Sequence, residues 1–211
     1  MEILRQISEA LQKGKANDVK SLVQSAVDEK IAAEKILNEG LLDGMNIVGV
    51  KFKNNEVYVP DVLVAARAMK AGTAILKPLL VADGVQAIGK AVIGTVKGDL
   101  HDIGKNLVGM MLEGKGIEVI DAGTDVSAEQ FISLAREHQA QLICCSALLT
   151  TTMGEMKAVV QAADAAGIRD QVTIMVGGAP VNETFAQSIG ADAYAPDAAT
   201  AAEVAVTALA G

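Results

Sequence analysis

Tryptophan is absent from this 211-residue chain, and aromatic side chains are limited to two tyrosines and three phenylalanines. The core must therefore be packed from Ala, Val, Ile, Leu and Met, with 20 glycines permitting close backbone approach. The two cysteines, Cys144 and Cys145, are neighbours in an apolar run and cannot build a disulfide framework. On a strand they would point to opposite faces as small core residues in a reducing compartment. Basic residues are outnumbered, 18 Lys and Arg against 26 Asp and Glu, and the formal charge of −8 argues against a nucleic-acid or anionic-membrane surface. Proteins and small molecules are the expected partners. No apolar run approaches the roughly 18–20 uncharged residues of a membrane span. The start, MEILRQISEALQKGK, lacks the basic-then-apolar order of a signal peptide, so a cytoplasmic chain is expected.

What is present falls into two halves with different periodicity. Through about residue 78 the apolar positions recur at helical steps: Ile3, Leu4, Ile7 and Leu11; then Val19, Leu22, Val23, Ala26 and Val27 after a candidate Asn17 cap; then Leu37, Leu41, Met45, Val48 and Phe52. A fourth stripe, Val62, Ala65, Ala66, Met69 and Leu76, follows Pro60, which suits the first position of a helix. The spacing predicts a four-helix bundle with short loops. A linker is expected near 79–89. Beyond it, short β-branched runs at 91–96, 117–123, 142–148 and 172–178 each precede a helical stretch, and a weaker strand at 191–196 precedes the last helix. Repeated strand-then-helix units predict a doubly wound, five-stranded parallel sheet, giving an α/β domain over 90–211 after an all-α domain over 1–89.

In such sheets ligands bind beyond the carboxyl ends of the strands, where the strand order reverses. The loops following strands one, three and four read KGDLHDIGKN, SALLTTT and GGAP, and all three should share one edge. The first holds His101, one of only two histidines. Asp99, two residues earlier, could accept its Nδ1–H and leave Nε2 facing outward, which prepares a metal ligand and a general base alike. His138, in AREHQAQ, has no comparable company and reads as a solvated residue at a helix end. Three or four converging metal ligands are missing, so a zinc site is disfavoured and a metal could bind only if it brought most of its own ligands, as in a corrinoid or haem. The GxGxxG and P-loop patterns are also missing.

Asp99-x-His101-x-x-Gly104, followed by Ser146-x-Leu148 and then Gly177-Gly178, resembles the signature of cobalamin-binding domains that hold the cofactor with its nucleotide tail displaced and a histidine on cobalt. The stretches GLLDGMNIVGVKF and YVPDVLVAARAMKAG are similar to the helical cap of methionine synthase and of the small corrinoid proteins of methyltransferase systems. The resemblance covers essentially the whole chain. It implies a flavodoxin-like, Rossmann-type cobalamin-binding domain behind a helical cap.

Carried over position by position, the resemblance makes His101 the lower axial cobalt ligand, Asp99 its hydrogen-bonding partner and Thr152 the hydroxyl that completes the relay. Asp102, Ile103 and Gly104 would stand with them at the cofactor. Ser146, Leu148 and Thr150 would line the cleft for a dimethylbenzimidazole-type tail, with Gly177 and Gly178 allowing close backbone approach. Met45, Phe52, Val59 and Val62 would cover the upper, methyl-bearing face. The implied cofactor is cobalamin or a related corrinoid, cycling between a Co(I) cobamide and methylcobalamin. The implied role is a methyl-carrying subunit that is not catalytic alone. Its implied partners are a substrate:corrinoid methyltransferase, a methyltransferase passing the group to tetrahydrofolate or coenzyme M, and a reductive activase. Rival readings are a cobalamin-dependent sensor or regulator, a mutase small subunit, and a cofactor-free enzyme using Asp99 and His101 as an acid–base pair. The regulator would need a basic DNA-binding segment, and the mutase lacks the methyl-protecting bundle.

Overall fold

The computed structural model describes residues 2–210 and divides into two compact units, one running through Ala87 together with Gly114–Gly116, the other taking Ile88–Glu113 and Ile117 onward. In the first unit, α1 (Glu2–Gln12), α2 (Ala16–Asp28), α3 (Ala33–Ile36), α4 (Asp43–Lys53) and α5 (Val59–Ala82) form the bundle, with α3 and α4 joined by a π-helical segment at Leu37–Leu42. Helix α2 packs on α1 and α5, and α1 packs on α4. The core is aliphatic, with Leu4, Ile7, Leu11, Val19, Val23, Ile36, Leu41 and Leu76 buried.

Several local expectations shift. Helix α2 starts behind Lys15, with no side-chain cap, so Asn17 lies inside it. Pro60 is the second residue of α5, behind Tyr58, whose N–H donates to the Asp61 carboxylate at 2.9 Å. The apolar stripe of the third helix begins at buried Ile36, not at half-buried Leu37, because the π segment inserts a residue into the register. The linker expected at 79–89 is partly helix: Pro78 lies within α5, which continues to Ala82 and closes with Asp83 and Val85 donating to Leu79 and Leu80. Proline removes one donor from the ladder, but its fixed φ suits a helix near its end.

The second unit is the doubly wound sheet. Its strands are β1 (Lys90–Val96), β2 (Glu118–Val126), β3 (Leu142–Ser146), β4 (Thr173–Gly177) and β5 (Ala193–Tyr194), all parallel in the order β2-β1-β3-β4-β5. The second strand runs three residues past the expected 123. Helices α6 (Ile103–Glu113), α7 (Ala128–His138), α8 (Gly154–Ala165), α9 (Glu183–Ile189) and α10 (Ala198–Ala210) cover it. His138 closes α7. Cys145 lies in the core cluster around Phe131, and burial pushes the Cys144 thiol up to about 12, which makes both cysteines inert packing residues. Among the described residues, no helix is long and apolar enough to cross a membrane.

One close approach defines this core. A Cβ on Gly94 would lie 2.8 Å from Cζ and 2.9 Å from Cε1 of Phe131, whose ring is fully buried. Gly94→Ala is expected to cost about 1–3 kcal/mol through overpacking. Urea unfolding would check this, and an unchanged midpoint would mean that the ring has room to move.

Candidate functional site

Strand β1 is followed in sequence by β2 on one side of it and neighboured by β3 on the other, so the strand order reverses between β1 and β3. The two loops that leave the sheet there are 97–102 and 147–153. Asp99, in the first of them, has no exposed surface and reaches the second. Its Oδ1 accepts from the His101 N–H at 3.1 Å and faces His101 Nδ1 at 2.7 Å. Its Oδ2 accepts from the N–H groups of Leu148 at 2.8 Å and Leu149 at 3.2 Å, and from the Thr152 hydroxyl at 2.9 Å.

The chemistry of this arrangement follows from donor counting. A carboxylate only accepts, so His101 Nδ1 carries the proton and the Nε2 lone pair is left free. Burial alone would raise the Asp99 carboxyl, but the N–H of His101, its ring and the N–H groups of Leu148 and Leu149 outweigh that and hold it well below the usual carboxylate range. The site thus carries a fixed buried charge behind an imidazole whose side chain is 52% exposed. Thr152 is buried, and its single hydroxyl proton has a second acceptor, the Leu149 carbonyl, also at 2.9 Å. It can therefore turn between the carboxylate and the backbone.

The remaining residues singled out in sequence take different places. Ile103 and Leu148 are exposed, as are their neighbours Leu100 and Leu149 on the same two loops. Asp102 precedes α6 and accepts from Asn106 through its carboxylate and its carbonyl. A Cβ on Gly104 would meet nothing within 4 Å. Thr150 is exposed, and Ser146 is half-buried, in register with Thr95 of β1 and Gly177 of β4. Gly178 has φ +133°, and a Cβ there would fall 1.9 Å from the Ala147 carbonyl oxygen, so its glycine is required by the protein's own backbone. In the helical unit Met45 and Val62 are buried, whereas Phe52 and Val59 are half-buried.

Sequence reasoning missed three supports. The amides of Leu148 and Leu149 carry no side-chain signal at all. Thr95, fully buried, donates to the His101 carbonyl at 2.9 Å, and its only trace in the sequence is a hydroxyl in an otherwise apolar strand. Asp125 accepts from the Gly98 N–H at 2.7 Å, across a sequence distance that no local pattern reveals.

A B12-binding domain model matches residues 89–206, and a second B12-binding domain model matches residues 3–77. The chain is 43% identical to the dimethylamine corrinoid protein of Methanosarcina barkeri, covering 95% of this chain and 94% of that one. It is 41% identical to a corrinoid protein of Desulfitobacterium hafniense, over 97% and 96% of the two chains. It also superimposes, with a TM-score of 0.89 and 29% identity, on a chain of the methanol:cobalamin methyltransferase complex from Methanosarcina barkeri, covering all of this chain and 80% of that one. With both halves matched and relatives similar from end to end, this chain belongs to the corrinoid protein family, built from B12-binding domains.

Proposed function

We propose that the chain is the methyl-carrying corrinoid subunit of a methyltransferase system, with a helical cap domain over 1–89 and the cofactor domain over 90–211. The observation that carries this reading is the exposed His101 imidazole, oriented by a buried Asp99 carboxylate at the switch point of the sheet. The donor set fits the group. One imidazole stands alone, and among the described residues no cluster of three or more His, Cys, Asp or Glu could hold a bare metal ion. A metal that brings most of its own ligands would need one further nitrogen from the chain, and His101 Nε2 would supply it, on a loop that also exposes Leu100 and, where it enters α6, Ile103.

When bound, a corrinoid supplies a cobalt centre able to take up and give up a methyl group. The chain's own part is orientation and proton handling. Asp99 would hold Nδ1–H so that His101 Nε2 is the nitrogen offered to the cofactor's metal. The Asp99 carboxylate would back the ring, and the Thr152 hydroxyl can turn between that carboxylate and the Leu149 carbonyl. Open space beside Gly104, with Ser146 at the end of β3 and Leu148 and Thr150 on the loop that follows it, suits the cofactor's tail. Met45, Phe52, Val59 and Val62 are the residues we assign to shielding the methyl-bearing face.

A substrate:corrinoid methyltransferase is the partner this reading requires, and the likeness to a chain of a methanol:cobalamin methyltransferase complex supports it. A second methyltransferase acting on tetrahydrofolate or coenzyme M, and a reductive activase, complete the proposed cycle. The test is an absorption spectrum of the chain loaded with hydroxocobalamin and desalted, beside His101→Ala. Retained corrinoid with a spectrum that changes in His101→Ala is the expected result. Loss of all corrinoid from the folded wild-type chain would return Asp99 and His101 to an acid–base reading.

A further inference from the structure

Strand β2 departs from regular pairing where it passes the start of the histidine loop. Opposite Ile93, Gly94 and Val96 of β1 stand Asp121, Gly123 and Val126, so β2 carries two extra residues across that stretch. Within them Gly123 has φ +87° and Asp125 has φ +55°. Bulges of this kind re-aim side chains and favour positions beside functional sites. Aspartate tolerates the left-handed region better than most residues, yet it is still a departure that the surroundings must hold in place.

Two carboxylates of β2 reach the two ends of one loop, Asp121 from the last regularly paired position and Asp125 from within the irregular stretch. Asp125 Oδ1 accepts from the Gly98 N–H at 2.7 Å, and the Asp125 N–H donates to the Asp99 carbonyl at 3.0 Å. Asp125 thereby grips the residue before Asp99 and Asp99 itself. Asp121 Oδ1 accepts from the Gly123 N–H at 2.9 Å and from the ammonium of Lys105 at 2.5 Å. Lys105 stands in the first turn of α6, immediately after the loop, and is only 3% exposed. A cation at the positive end of a helix dipole is unfavourable, and a buried ammonium needs a partner. Asp121 meets that need from the edge strand.

We propose that Asp125 is a positioning residue for the Asp99–His101 pair, and that the Lys105–Asp121 ion pair holds the far end of the same loop. This inference rests on the reading of His101 as the residue that meets the corrinoid. Three anchors then fix a loop of only six residues, 97–102: Asp125 at its start, Thr95 on the His101 carbonyl, and Lys105–Asp121 behind it. The mechanism explains why a long edge strand ends in two irregularities. A regular β2 would turn the Asp125 carboxylate elsewhere and leave the Gly98 N–H without its acceptor.

Two substitutions separate side chain from backbone. Asp125→Gly keeps the left-handed backbone and the N–H to Asp99 while removing the carboxylate, and Asp125→Asn keeps an acceptor oxygen. In the corrinoid-free chain, amide hydrogen exchange at Gly98 and His101 is expected to speed up about tenfold or more in Asp125→Gly, and to stay near wild type in Asp125→Asn. In the chain loaded with hydroxocobalamin, Asp125→Gly should lose part of the His101-dependent spectral amplitude at fixed pH, and Asp125→Asn should restore it. Wild-type exchange rates in Asp125→Gly, or equal damage from both variants, would overturn the proposal. If wild type itself shows no His101-dependent spectrum, the corrinoid reading fails while the exchange comparison still decides whether Asp125 holds the loop.

Discussion

Asp99→Asn is expected to lower the stability of the chain by about 2–6 kcal/mol at neutral pH, since two N–H groups lose their acceptor at roughly 1–3 kcal/mol each. The amide offers one oxygen where the carboxylate offers two. If that oxygen keeps Leu148, Leu149 and Thr152, the Nδ2 group faces the His101 N–H and ring; if it keeps His101, Nδ2 faces the two leucine amides. Either orientation sets donor against donor. The pH dependence carries the sign of a carboxyl whose native value is depressed: the stabilisation is complete above the ordinary carboxylate range and is lost as pH falls toward the lower native value. The gap between wild type and Asp99→Asn should therefore be flat from pH 7 to about 5, then narrow by about 1 kcal/mol between pH 4 and 3. Urea unfolding at pH 7, 5, 4 and 3 measures it. A gap that stays constant across the acid range would mean that the carboxylate is not held ionised by these contacts.

The parts of this molecule that were legible in the sequence are those written in one residue at a time. Strands β1, β3 and β4 show as β-branched apolar runs because both of their faces are buried, whereas the edge strand β2 shows through its Val-Ile pair alone, and the order of loops at one edge follows from handedness. His101 and Asp99 stand out because a histidine backed by an acid two residues earlier is a local pattern. The supports of that pair are not local. Leu148 and Leu149 act through backbone amides, Asp125 acts from the next strand through a bulge, and Thr95 acts through a carbonyl six residues on. Periodicity failed in a similar way at Leu37–Leu42, where the helix gains a π turn. There Gly40 and Gly44 let α1 close in, a Cβ at either position reaching 3.1 Å from Ile7 or Ser8. Tertiary packing chose the register, and no stripe of apolar residues encodes a partner's surface.

Glycine shows the same division, and it yields the sharpest comparison the site allows. Gly178 and Gly104 both belong to the family signature, but the fold asks different things of them. At Gly178 a Cβ would fall 1.9 Å from the Ala147 carbonyl oxygen and 2.9 Å from its carbon, against backbone of the segment leaving β3, with φ at +133°. Neither the strand end nor the dihedral can give way cheaply. Gly178→Ala is expected to lose at least about 4 kcal/mol, or to fail to fold, because steric overlap adds to a backbone strain of about 1–3 kcal/mol. Gly104, the second residue of α6, has open space where a Cβ would go. Gly104→Ala should leave folding intact, or improve it by up to about 1 kcal/mol through helix propensity. If the corrinoid occupies that space, the same variant should retain hydroxocobalamin several-fold less well after desalting. Unfolding and retention measured together on the two variants separate a glycine that the sheet needs from a glycine that the cofactor needs. Wild-type retention in Gly104→Ala would move the cofactor away from the start of α6, and wild-type stability in Gly178→Ala would mean that the ends of β3 and β4 stand farther apart than their hydrogen bond from Ala147 to Gly177 requires.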